Sequence, residues 1–251
     1  MLRISDFARR LTIIFLLLLI STGCASLGRV QKQETKPLKP QELPAGNGWW
    51  FARFHLSWPP DTEPVWYMDL CLAHQVFLPL LEKYQEDIYL WRFHRRAARD
   101  AAGRMFRFIF YATPQTAQAI FTALNTDPLI KNLIDAGVIE RTEYDDPTRI
   151  TRPNIEDTSD GNWPDAIQKT WPYYIMGASQ MWLNLIAEVA AEYPEDFAPT
   201  SSKEIEAYYQ QIDKTILELW QQEGRHAFMH HLNALFEYEP LIYWEKRYMN
   251  F

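Results

Sequence analysis

Cysteine is almost missing from this chain. Cys24 and Cys71 are the two present in 251 residues, which excludes a disulfide framework as the source of its stability. Cationic charge is short as well: 25 Lys and Arg stand against 32 Asp and Glu, for a formal net charge of −7. Nucleic acids and anionic surfaces attract proteins through a net positive field, so both are poor partners for the chain as a whole. No G-x-S-x-G elbow, phosphate-binding glycine loop or Cys–His pairing occurs, leaving the common nucleophilic and nucleotide chemistries without support. Aromatic residues are abundant instead. Ten Trp, 13 Tyr and 14 Phe predict an aromatic core in a chain long enough to bury one.

The amino terminus carries the most specific signal. Arg3, Arg9 and Arg10 precede an apolar stretch from Leu11 to Ile20, about half of the roughly 20 residues that a membrane span needs. A charged segment, a short apolar run and then small residues read as a cleaved secretory signal. The sequence Ser21-Thr22-Gly23-Cys24 resembles the lipobox of bacterial lipoproteins, which are cut before a cysteine that has first been acylated. That resemblance covers this processing segment alone. It implies removal of residues 1–23, an acyl anchor on Cys24 holding the chain in the lipid bilayer and, because Ala25 rather than Asp follows, residence at the periplasmic face of the outer membrane. Loss of three Arg and one Asp then makes the mature chain more acidic. Cys71, within Leu70-Cys71-Leu72, is left without a partner and reads as a small buried hydrophobe or, alternatively, a reactive thiol.

Residues 24–48 are polar and contain three prolines, which reads as a lipidated cysteine and flexible tether of about 80 Å at full stretch. Period-two alternation begins at Trp49, with Trp50, Ala52, Phe54 and Leu56 on one side and Phe51, Arg53 and His55 on the other. After Pro59-Pro60, Asp61 or Thr62 caps a helix whose stripe is Trp66, Leu70, Ala73, Phe77, Leu80 and Tyr84, kinked at Pro79. Asp87–Arg96 and Arg104–Ala112 form a hairpin. Thr113-Pro114 and Asp127-Pro128 each start a helix, Gly137 closes the second, and residues 138–144 form a last strand. The order predicts an α+β fold: a ferredoxin-like βαββαβ domain over 49–145 with helices on one face of an antiparallel sheet. Residues 146–162 then form a connecting loop, and 163–251 a helical half. There, Thr170-Trp171-Pro172 opens a long helix, Ser201 and Glu204 form a capping box for a second that Gly224 ends, and two shorter helices follow over 225–236 and 240–248.

Placed side by side, the predicted strands bring Arg53 and His55, Arg92, His94 and Arg96, and Arg107 with Tyr111 to one sheet face. Such a cluster suits a carboxylate, phosphate or sulfate, bound through charge-assisted forks. The alternative is an internal ion-pair network in which the carboxy-terminal helices cover this face and supply Glu188, Glu218 or Glu223. A second constellation is His226 and His230, one helical turn apart with Glu237 beyond, a pair that could chelate a transition metal but lacks the HExxH glutamate. A third is haem held against the aromatic sheet, as in dye-decolourising peroxidases, although Asp157-Thr-Ser-Asp-Gly161 lacks the first glycine of their G-x-x-D-G motif. No cofactor is predicted beyond these two possibilities. The leading expectation is a non-catalytic envelope lipoprotein that binds an acidic small molecule or a partner protein; the rival is an enzyme that uses the Arg/His face.

Overall fold

The computed structural model describes residues 44–193 and 202–238. The predicted signal peptide, Cys24, most of the tether, the Ser201 cap and the helix at 240–248 lie outside the described residues. The architecture is α+β. Strands β1 (Gly48–Leu56), β2 (Leu90–Ala97), β3 (Arg104–Ala112) and β4 (Ile139–Tyr144) form one sheet in the order β2-β3-β1-β4, every neighbouring pair antiparallel. Between β1 and β2 runs a helical segment: α1 (Tyr67–Leu72), a π-helical turn (Ala73–Phe77) and α2 (Leu78–Lys83). Between β3 and β4 lie α3 (Pro114–Thr126) and α4 (Pro128–Asp135). After β4 come a 3-10 turn (Ile155–Thr158), α5 (Asp165–Ala191), α6 (Ser202–Leu219), a second π-helical segment (Trp220–His230) and α7 (His231–Ala234).

Strand alternation sets the layers. Trp50, Ala52, Phe54, Phe93, Phe106, Phe108 and Phe110 are buried on one face, and a single apolar core joins them to α1, α3, α5 and α6. Phe77 sits at its centre, with ring centroids 4.7 Å from Phe108 and 5.6 Å from Phe54. The π-turn that delivers it follows from Pro79: without an N–H, Pro79 cannot bond the Gln75 carbonyl, and Leu78 N–H bonds Ala73 O five residues back. The expected kink is therefore a widened turn. Thr113 Oγ1 accepts from Thr116 N and Asp127 Oδ1 from Ile130 N, so both X-Pro caps form. Gly137 has φ +71°, the left-handed stop that its position predicts.

Three helix boundaries differ from the sequence reading. α1 starts at Tyr67 without a side-chain cap, because Thr62 instead donates to Pro59 O and Arg99 binds the carbonyls of Trp58, Pro59 and Thr62. α5 starts at Asp165 and runs through Pro172. The carbonyl that Pro172 leaves without a helical donor is that of Gln168, and Ser159 Oγ donates to it at 2.6 Å, which offsets the usual penalty. Gly224 does not end its helix; the chain continues π-helical past it, and the glycine is required because a Cβ would collide with the Trp220 ring. Among the described residues, no helix is long and apolar enough to cross a membrane.

Candidate functional site

The sheet register assembles the predicted cluster. Arg53 pairs across with Arg107 and Arg107 with His94, while Glu143 flanks Arg53 on the far side. Arg92 stands opposite Ile109, and Arg96 and His55 both stand opposite Met105. These side chains share the face that points away from the main core. Its other end is apolar: Trp49, Leu90, Ile109 and Tyr111 form a small cluster under Ile155 and Met176.

The connecting segment is tied down over that apolar end. Trp49 N donates to Arg152 O at 2.9 Å, Trp49 Nε1 to Asn154 O at 3.0 Å, and the Tyr111 hydroxyl to Pro153 O at 2.7 Å. Tyr111 thus holds the strap and stands apart from the charged groups. Gly48 permits the crossing, since a Cβ there would lie 2.6 Å from Ile150 Cγ2.

The charged end is only partly neutralised. Asp145 bridges Arg53, at 3.0 Å, and Arg152, and accepts from Phe51 N. Arg96 pairs with Asp100 and donates to Gly103 O. His55 Nε2 is 3.4 Å from Glu143 Oε1, within ion-pair reach but without hydrogen-bond alignment. Arg92 and Arg107 differ. Among the described residues, no carboxylate lies within 4.0 Å of either guanidinium. Arg107 Nε meets Met105 Sδ at 2.7 Å. Arg92 is 8% exposed, reaches only Thr158 O at 3.4 Å, keeps an unpartnered Nε and rests 4.7 Å above the Trp171 ring.

Electrostatics follow from this imbalance. Burial and the Arg107 charge push Arg92 down to about 10. His94 lies between them, and burial followed by the charges of Arg92, Arg107 and Arg96 holds its imidazole below its ordinary value. At neutral pH it is an uncharged donor and acceptor. The carboxylates expected from the carboxy-terminal helices do not supply this face: its partners come from β4, the hairpin loop and Asp145, and Glu218 lies beside Lys214.

The opposite face of the same hairpin holds a cluster that the sequence reading missed. Asp69 of α1 is fully buried and accepts from Arg104 Nη2 at 2.5 Å and Arg95 Nε at 2.7 Å. Both guanidinia also stack on Trp66. Opposite charges at core-facing positions, Arg95 after Phe93 and Asp69 beside Leu70, were the available signal. The remaining candidates fall elsewhere. His226 and His230 stack with centroids 5.3 Å apart, and His231 is 5.4 and 5.5 Å from them, but Glu237 leaves the helix with φ +60°. Among the described residues no group of three or more His, Cys, Asp or Glu is arranged to hold a metal ion. The aromatic sheet face considered for haem is filled by Phe77, Phe121 and Trp182, and Asp157 is occupied in a capping box with Asn154. Cys71 is buried, which raises its thiol to about 12 and leaves it unreactive. No family model, curated protein or solved structure matches the chain.

Proposed function

We propose that this chain is a bacterial lipoprotein, acylated at Cys24 and held at the periplasmic face of the outer membrane, whose folded body binds an acidic ligand without transforming it. The body is read as a ferredoxin-like domain joined to a helical half. The all-antiparallel order β2-β3-β1-β4, with helices joining β1 to β2 and β3 to β4, supports that reading. One observation carries the binding function: among the described residues, Arg92 and Arg107, either side of a neutral His94, lack the carboxylates that their neighbours possess. A guanidinium excess on an acidic protein suits an anion that arrives from outside.

Calorimetric titration of the full chain in detergent with carboxylate, sulfate and phosphate tests the binding claim. Saturable uptake that Arg107→Gln weakens is expected, and no uptake of any anion refutes it. For the anchor, Cys24→Ala should abolish acylation by mass spectrometry; unchanged membrane fractionation would refute that part. A partner protein is the second reading, favoured by Leu235, Phe236 and Tyr238, which are each more than half exposed. Cross-linking in intact cells with a photoreactive group at residue 236 tests it.

A further inference from the structure

We infer that the cleft along the outer edge of β2 binds an aromatic carboxylic acid, its carboxylate on Arg92 and its flat body against the indoles of Trp163 and Trp171. The inference rests on the acid-binding reading above and adds the place and the ligand class.

The cleft measures about 610 Å³ and lies between β2, the 158–163 turn and the middle of α5, a size ordinary for sites that take small organic ligands. Arg92 supplies the cation. More than nine-tenths buried, with Nε unpartnered and one long contact to a carbonyl, it is a desolvated charge without a counter-ion among the described residues, an arrangement proteins rarely leave standing. A planar carboxylate matches its fork. Beside it, Trp171 and Trp163 are 5.4 Å apart at 59° and half-buried, so they form a partly opened apolar wall that Ile175 and Ala178 continue.

Some of the polar groups in the cleft are already engaged. The hydroxyl of Ser159 is spent on Gln168 O, and Asp160 Oδ1 accepts from Asn162 N and Nδ2. Among the described residues, the Thr158 hydroxyl and the His94 imidazole stay free in the lining, so the wall sets the class: a sugar acid or an inorganic anion would leave the indoles in water. An aromatic body uses both the charge and the wall.

Isothermal titration of the full chain in detergent with 2-naphthoate, glucuronate and sulfate decides the matter. Naphthoate is expected to bind tightest, one per chain, and to lose about tenfold or more in affinity in Arg92→Gln. Circular dichroism and the urea midpoint report whether that variant folds, and Trp163→Leu, at the cleft wall, serves as the second variant with the same expected direction. Sulfate or glucuronate binding as tightly as naphthoate overturns the aromatic class and leaves the acid-binding reading standing. Binding of none of the three overturns both. Naphthoate affinity unchanged in Arg92→Gln and in Trp163→Leu overturns the location.

Discussion

Replacing Asp69 by alanine should damage the protein more than any change on the candidate binding face, and the size of the loss can be worked from its contacts. The carboxylate is fully buried, and its partner Arg104 has a side chain only 1% exposed. Arg95, at 29%, sits nearer the rim and can turn toward water. Burial raises the Asp69 carboxyl against the pull of the two guanidinia, and burial lowers Arg104. Deleting Asp69 therefore strands one buried cation. Breaking a buried pair in this way costs about 3–5 kcal/mol, and the lower end applies because the carbonyls of Val65, Arg96 and Met105 still lie 3.3 Å from Arg104.

With a urea dependence of about 2–3 kcal/mol per molar, a loss of about 3 kcal/mol moves the unfolding midpoint down by about 1–1.5 M. Tryptophan fluorescence follows the transition, since Trp66 and Trp182 contact the arginines directly. The double variant Asp69→Leu/Arg104→Met removes both charges and keeps apolar volume. It is expected within about 1.5 kcal/mol of the parent. A single-variant loss below about 1 kcal/mol, or a double variant no more stable than Asp69→Ala, would refute the reasoning.

Gly48→Ala forces a methyl group to 2.6 Å from Ile150 and 3.2 Å from Arg152 O; urea unfolding should show an overpacking cost of about 1–3 kcal/mol. Tyr111→Phe removes the bond to Pro153 O and should cost about 1 kcal/mol, with faster amide exchange confined to residues 152–155 in hydrogen-exchange mass spectrometry. Acidification should destabilise the fold through His94 and His74, whose imidazoles are both held below 6.5 in the folded state. The unfolded chain then takes up protons that the folded one refuses, so stability falls as pH drops below about 6.5. Urea midpoints at pH 7.5 and 5.5 should draw together in His94→Asn and further in the double variant with His74→Asn. An undiminished gap in the double variant rejects the assignment.

How much of this was legible depended on whether a residue's role is local. The strands were readable because Trp50, Ala52, Phe54 and their counterparts alternate with period two, and the two X-Pro caps because each is satisfied within three residues. Alternation put Arg53, Arg107 and His94 on one face, and the strand pairing then lines them up in one row. What failed was non-local. Pro172 looked like a helix start, yet Ser159 supplies the missing donor from outside the helix. Gly224 looked like a stop, yet it is there for the Trp220 ring. Trp171 read only as part of a helix start and Trp163 carried no reading of its own, and only the path of α5 along β2 makes them walls of a cleft.

The two faces of the β2–β3 hairpin make the argument for a ligand by contrast. On the core face, Arg95 and Arg104 are both answered by one carboxylate brought from α1, 26 and 35 residues away in sequence. On the other face, Asp145 answers Arg53 and Arg152, and Asp100 answers Arg96. An acidic chain with 32 Asp and Glu does not lack carboxylates, and it supplies them to Arg53, Arg95, Arg96, Arg104 and Arg152. Arg92 shares with Arg104 its burial and its indole face, yet its counter-charge is missing among the described residues. A structural arginine would be expected to have the same answer as Arg104. An arginine kept for an incoming acid must be left without one, because an internal carboxylate would compete with the ligand for the same N–H groups. Introducing such a competitor is therefore informative: Ala178→Glu, on the α5 wall of the cleft, should abolish naphthoate uptake, and raise stability if its carboxylate reaches Arg92. Retained uptake at parental affinity would show that the anion binds elsewhere on the face.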